Sequence, residues 1–285
     1  RARARARALG LGGGAAGPYD SGMVSAFYVP LGGDRFSSTT ATVGPWDPRL
    51  CHGSPPASLL LRAIERAFPR DDARVGRIAF DFHGPVPVAE VAVTSEMVRP
   101  GQRIELSRAK LAAGGKTAME ATAWRIAAQR SRAAAVVDPR RPPPLPPPQP
   151  TGDSIFEALP YFGYGRALEW RFIEGSFAEI GPAAVYTRPL LPIIEGEEVS
   201  PLGRLMLMVD SANGISSALP LGEYLFVPVE LTVSVRRHPR TEWVGMRAET
   251  TIEDDGVGQT RAELFDEEGY LGLAVQTLFV ARRGA

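Results

Sequence analysis

The stretch Arg204-Leu-Met-Leu-Met-Val-Asp-Ser-Ala-Asn-Gly214 puts one carboxylate, Asp210, at the end of an apolar run, just before small and amide residues. A carboxylate in apolar surroundings can take a proton from water. Asp and Asn also cap helix starts, and the free backbone N–H groups of a helix start attract anions and developing oxyanions. The apolar run reads as a strand that turns at Asp210 into a small-residue helix over Asn213–Leu219. On residue type alone a plain helix cap explains Asp210 better than chemistry does. A second turn, His52-Gly-Ser-Pro-Pro56, opens another helical pattern, and its backbone offers the same kind of N–H array.

Other chemistries find less support. Three histidines and one cysteine do not form metal-ligand spacing, and there is no phosphate loop and no G-x-S-x-G elbow. Gly12, Gly14 and Gly17 match G-x-G-x-x-G, but they follow Arg-Ala repeats rather than a strand. The formal net charge is zero, which argues against a nucleic-acid surface. One cysteine excludes a disulfide framework and points to a reducing, cytoplasmic setting. No apolar run approaches the roughly 18 residues of a membrane span, and the N-terminus lacks the apolar core of a secretory signal. No cofactor is expected.

The elements that must position Asp210 form two similar halves. Residues 1–22 read as a tail, 23–135 as the first half, 136–152 as a polyproline linker and 153–285 as the second half. The first half holds a hairpin over residues 25–43 and a helix over Ala57–Phe68. In the helix Leu60, Leu61, Ile64, Ala67 and Phe68 share a face. Four strands follow, over Arg77–Phe82, Ala89–Arg99, Gln102–Ala112 and Thr117–Ala127, with Gly114-Gly115 as a two-residue hairpin turn. The second half reads as strands over Tyr164–Glu174 and Ala183–Leu190, the segment through Asp210, then strands over Phe226–Arg236, Glu242–Glu253, Gln259–Phe265 and Gly269–Arg282. Matching His83-Gly-Pro85 to Arg237-His-Pro239, and Gly115 to Gly269, aligns the ends of the halves without gaps. His52-Gly53 then falls near Asn213-Gly214, Arg49 opposite Asp210, and Thr122 opposite Gln276. Such halves predict an α+β fold of antiparallel strands covered by one helix each.

Taken in order, several motifs resemble the TesB-like acyl-CoA thioesterases. In the first half these are Trp46…His52-Gly-x-Pro-Pro-Ala-x-Leu-Leu, Phe80-x-Phe-x-x-Pro85-Val-Pro and Val98-Arg-Pro-Gly-Gln-Arg103. In the second they are Arg204-Leu…Asp210-x-x-Asn-Gly214, Leu231-Thr-Val-x-Val and Ala274-Val-Gln-Thr277. The resemblance spans residues 25–282. It implies a double hotdog: two tandem antiparallel sheets, each wrapped on a central helix. It implies an acyl-CoA substrate, further homo-oligomerisation, and a catalytic aspartate, hydroxyl and glutamine. Asp210 matches the aspartate and Gln276 the glutamine. Pro228 stands at the family's threonine position, so the nearest hydroxyl is Thr232, with Ser234 beyond it on the same strand face. Asn213, Gly214, His52 and Gly53 are the expected substrate contacts. Hotdog hydratases pair an Asp with a His on the central-helix segment, and Asp210 has no His within ten residues. The missing threonine leaves a second expectation open, a protein that binds acyl thioesters without hydrolysing them.

Overall fold

A computed structural model of the chain describes residues 24–128, 136, 138–150 and 154–284. The tail and its glycine motif lie outside the described residues, as do parts of the segment joining the halves.

Among the described residues, twelve strands form one antiparallel sheet in the order β1-β2-β4-β5-β6-β3-β9-β12-β11-β10-β8-β7. In the first half these are β1 (Tyr28–Gly32), β2 (Arg35–Ser38), β3 (Ala73–Phe82), β4 (Glu90–Arg99), β5 (Ile104–Ala113) and β6 (Lys116–Ala127). In the second they are β7 (Leu168–Glu174), β8 (Ala183–Pro189), β9 (Tyr224–Val235), β10 (Val244–Ile252), β11 (Val257–Asp266) and β12 (Gly269–Arg282). The expectation of two separate sheets is corrected. β3 and β9 pair at the centre, with Ala79 opposite Thr232, and fuse the halves into one sheet. The seam leaves neither central strand with an open edge.

The inner face carries the helices. α1 (Ser54–Ala67) starts with Pro55 and Pro56 in its first turn, where a missing N–H costs least. It buries Leu59, Leu60, Leu61 and Ile64 against β4, β5 and β6. α2 (Ser154–Ala158) and α3 (Gly163–Arg166) lead into β7. α4 spans Pro201–Val209, and a short α5 follows over Ala212–Ile215. The strand expected through Arg204–Val209 is therefore a helix. The Ser200 hydroxyl accepts from Gly203 N–H at 3.0 Å, Pro201 sits in the first turn, and Leu and Met favour the helix. Because Leu202 and every residue from Leu205 to Val209 are buried, the run has no polar face to reveal a helical period. α1 and α4 pack antiparallel, with Ser58 Oγ donating to Gly203 O at 3.3 Å.

The ladders correct the internal alignment by one residue. Ile78 pairs with Ala123 as Leu231 pairs with Gln276, and Ser107 faces Ala123 as Thr260 faces Gln276. Gln276 therefore corresponds to Ala123, not Thr122. A one-residue slip moves a side chain to the other face of a sheet, and Thr122 does lie on the outer face. The helix starts, Ser54-Pro55 and Ser200-Pro201, also correspond, so Arg49 is not the counterpart of Asp210.

The polyproline linker packs on the outer face of the second half. Leu145 joins Tyr186, Trp243 and Phe265, and Tyr186 donates its hydroxyl to Pro143 O at 2.8 Å. Arg140 lies over the Tyr270 ring and pairs with Glu263. Gln149 exchanges two hydrogen bonds with the backbone of Phe172.

Candidate active site

Asp210 caps the C-terminal end of α4 rather than opening a helix, and it is buried. Its carboxylate meets the start of α1, contributed by the other half of the chain. Gly53 caps α1, and its backbone lies against the Asp210 carboxylate and favours its charged form. The approach is so close that a Cβ at position 53 would lie 2.5 Å from Asp210 Oδ2 and 2.8 Å from the Phe82 ring. Only glycine fits there. Pro55 and Pro56 remove two of the usual free N–H groups, so the field of the helix start converges through Gly53 and Ser54.

Gln276 holds Asp210 from the sheet side. Its Nε2 donates to Asp210 Oδ1 at 3.0 Å and to the Asp210 carbonyl at 3.2 Å, while its Oε1 accepts from Asn213 N–H at 3.1 Å. One amide thus fixes both sides of the break between α4 and α5. Burial pushes the Asp210 carboxyl up from its ordinary value to about 7, against the lowering by the Gln276 and Gly53 donors. A carboxylate poised there exchanges protons with water near neutral pH.

His52 comes in from the first half, its Nδ1 3.5 Å from Asp210 Oδ2. The contact is not an ion pair. His52 Nδ1 accepts from Ser54 N–H at 3.1 Å, and burial holds the imidazole down to about 3, so the ring is neutral. The ring stacks on Tyr164 at 3.8 Å between centroids. The Tyr164 hydroxyl donates to Leu207 O at 2.6 Å and shares a 2.7 Å hydrogen bond with Ser211 Oγ. It also reaches Ser54 Oγ at 3.3 Å. Tyr164 therefore ties the end of α4 to the start of α1.

The remaining expected contacts separate from this cluster. The Asn213 amide donates to Phe226 O at 3.1 Å, and its N–H is taken by Gln276. Gly214 is exposed, and its N–H donates to Ser211 O at 3.0 Å. Asn213-Gly214 thus offers no free N–H pair toward Asp210. Thr232 lies on the outer face of β9 and donates to Glu230 at 3.0 Å, which also takes the Thr277 hydroxyl. The alternation that turns Leu231 toward Gln276 turns Thr232 away. Another set of hydroxyls shares the inner face. Thr260 stands directly opposite Gln276 on β11, shares a 2.7 Å bond with Thr250, and Thr250 shares 2.8 Å with Ser216. Among the described residues no group of three or more His, Cys, Asp and Glu is arranged to hold a metal. No helix among them is long and apolar enough to cross a membrane.

The halves match two domain models of one family: the acyl-CoA thioesterase N-terminal domain over residues 42–126, and the acyl-CoA thioesterase C-terminal domain over residues 138–280. The chain belongs to the acyl-CoA thioesterase family. It is accordingly a thioester hydrolase by family, and the family implies an acyl-CoA substrate. The fold is similar to that of the acyl-CoA thioesterase II TesB2 from Mycobacterium marinum, with a TM-score of 0.62 and 16% identity over 90% of this chain and 96% of that one. The tesB protein of Mycobacterium avium subs paratuberculosis gives 0.62 and 14% over 89% and 96%. A hot dog fold protein of unknown function from Alicyclobacillus acidocaldarius gives 0.64 and 17% over 88% and 95%. No curated protein matches the sequence.

Sequence reasoning on this thioesterase missed Tyr164, Thr260 and the approach of His52 to Asp210. Thr260 was one residue from a signal: counting back through the hairpin after Asp266 sets Gln259 opposite Gln276, and the bulge between Leu264 and Phe265 shifts the register to Thr260. Tyr164 and His52 had none, because their neighbours lie far along the chain: His52 and Asp210 come from different halves.

Proposed function

We propose that this chain is an acyl-CoA hydrolase of double-hotdog architecture in which Asp210 is the general base for water. What carries the reading is the buried carboxylate, tuned to about 7 and gripped between Gln276 from the sheet and the Gly53 N–H at a helix start. Water loses a proton to Asp210 as its oxygen attacks the acyl carbon. The carbonyl oxygen becomes an oxyanion, and the Gly53 N–H, turned from Asp210 to the substrate, is its donor. As the tetrahedral species collapses, the C–S bond breaks and the Asp210 proton goes to the departing CoA sulfur. The products are a free acid and CoA, and no covalent intermediate is required. Gln276 orients Asp210 throughout. Thr260, across the ladder from Gln276, supplies the hydroxyl missing at Pro228, which faces Leu278 on the inner side of β9.

The test is free-thiol release from short, medium and long acyl-CoAs, with Asp210→Asn run alongside. Turnover that collapses in the variant supports the reading; equal background in both proteins would leave an acyl-thioester-binding protein. The nearness of His52 to Asp210 favours one further reading, hydration of enoyl-CoA. An unchanged enoyl-CoA absorbance removes it.

A further inference from the structure

The proline-rich segment meets the outer face of the second half with a period of its own. Consecutive prolines fix φ and hold a chain in the polyproline II helix, with three residues to a turn and every carbonyl free to accept. Arg140, Pro143, Pro146 and Gln149 are spaced by three, and each contacts the sheet. The Arg140 guanidinium lies 4.2 Å over the Tyr270 ring and pairs with Glu263 at 2.6 Å, while Asp138 holds it from within the segment. Pro143 O accepts from the Tyr186 hydroxyl at 2.8 Å, and Pro146 O accepts from Arg171 at 3.0 Å. Gln149 closes the series on the backbone of Phe172, in the edge strand β7. Exposure follows the same period: Arg141, Pro144 and Pro147 are exposed, and the residues between them are half-buried.

The groove beneath is held by contacts outside the segment. Trp243 is flanked by the guanidinium groups of Arg171 at 4.2 Å and Arg188 at 5.1 Å, and Glu169 pairs with both arginines. Tyr186 meets Phe265 edge to face at 5.1 Å. An apolar filler needs neither a donor at each turn nor a charge at one end. Aromatic walls, donors one turn apart and an acid that receives an arginine are what a proline-rich ligand requires.

We propose that this outer face is a recognition groove for segments of the pattern Arg-x-x-Pro-x-x-Pro. Residues 140–146 are its resident occupant, and the partner it fits is a second protein carrying the same pattern. A tethered occupant competes at an effective concentration of about a millimolar, so the partner enters as the resident segment lifts off. The groove lies across the sheet from Asp210 and is independent of the hydrolytic reading.

The experiment is calorimetric titration of the full chain with a capped peptide of residues 138–150. Wild type is compared with a variant carrying Arg140→Ser, Pro143→Ser, Leu145→Ser and Pro146→Ser, which vacates the groove without shortening the chain. The variant is expected to bind one equivalent, and wild type to bind about tenfold more weakly or worse. Against the variant, a peptide with Arg140→Ala should bind about fivefold more weakly, and one with Pro144→Ala within about twofold. Adding Tyr186→Phe to the variant should cost about fivefold, the worth of one hydrogen bond. Should the fourfold variant not fold, Arg140→Ser alone takes its place and is expected to bind the peptide more tightly than wild type. No binding by a cooperatively unfolding variant overturns the proposal, as does equal binding by wild type or by a peptide of proline alone. Light scattering that gives wild type twice the mass of the variant also overturns it, because the occupant would then be a second copy's segment.

Discussion

The two halves share a ladder, a helix and even the position of a bulge, yet one row across the inner face differs throughout. In the first half the row reads Met97, Ser107, Ala123 and Ile78; in the second it reads Thr250, Thr260, Gln276 and Leu231. Both rows are covered by a helix, so polarity in the second cannot be solvated by bulk water and is satisfied internally. The helices diverge at the same level. α1 runs on through Ala63 and Ile64, whereas α4 stops at Asp210 and its broken end is held by Gln276. Backbone economy does not require that break, since the first half does without it. It brings a carboxylate into a dry place beside a helix start, the feature on which the proposed hydrolysis rests.

The largest effect should come from Asp210→Asn. Loss of a general base is expected to lower kcat by about 10²–10⁴-fold. The same change should stabilise the fold. Asp210 is raised from 3.8 to about 7, so the folded state binds this proton more tightly than the unfolded one. The group therefore costs nothing below the unfolded value, costs more as pH rises from about 4 to 7, and is constant above. The stability gained by Asp210→Asn, on the order of 4 kcal/mol at most by the unit-shift conversion, should grow across that window and level off. Chemical unfolding at pH 4, 6 and 8 checks it; an equal gain at all three would contradict the assigned burial. In wild type kcat/KM should rise with pH through about 7 as the base ionises.

Gly53→Ala is the next most damaging change. A methyl 2.5 Å from Asp210 Oδ2 must displace the carboxylate or the helix start, and loss of a single oxyanion donor costs about 10²-fold or more. Turnover with KM little changed is the expected signature. Gln276→Ala makes the row of the second half resemble that of the first. It leaves Asn213 N–H without its acceptor, which costs about 1–3 kcal/mol of stability, and frees Asp210 to rotate. Thermal unfolding and kcat should fall together. Thr260→Val tests the substitute hydroxyl; misplacing the water is expected to lower kcat about tenfold, a fraction of what well-oriented positioning can contribute. Thr232→Ala should change stability by no more than about 0.5 kcal/mol and leave turnover alone. A large loss there would return the hydroxyl role to β9.

Strand positions were legible because alternation and turn chemistry agree locally. Gly114-Gly115 joins β5 to β6 with both residues at positive φ, as a two-residue hairpin needs. α4 was not legible as a helix, since Leu205-Met-Leu-Met-Val209 is buried on every side and carries no period. The repeat was visible but its register was not. A one-residue slip is nearly silent in letters and decisive in space, and it set Thr122 where Ala123 stands. Asp210 and Gln276 emerge together in the fold, although the letters suggested a helix cap for one of them. Thr232 looked available because it is near Pro228 in sequence, and pleating alone takes it to the wrong side.

The seam between β3 and β9 also has a temporal consequence. Gly53 and Asp210 are separated by more than half of this sequence, and Gln276 lies further on still, in β12. A ribosome that has released only the first half has made a helix start with nothing to grip. Closing so long a loop before any reward is slow, and it ties catalysis to completion of the whole sheet. Severed in its linker, the chain would yield two inert pieces, and the return of thiol release on mixing them would report that the seam had zipped.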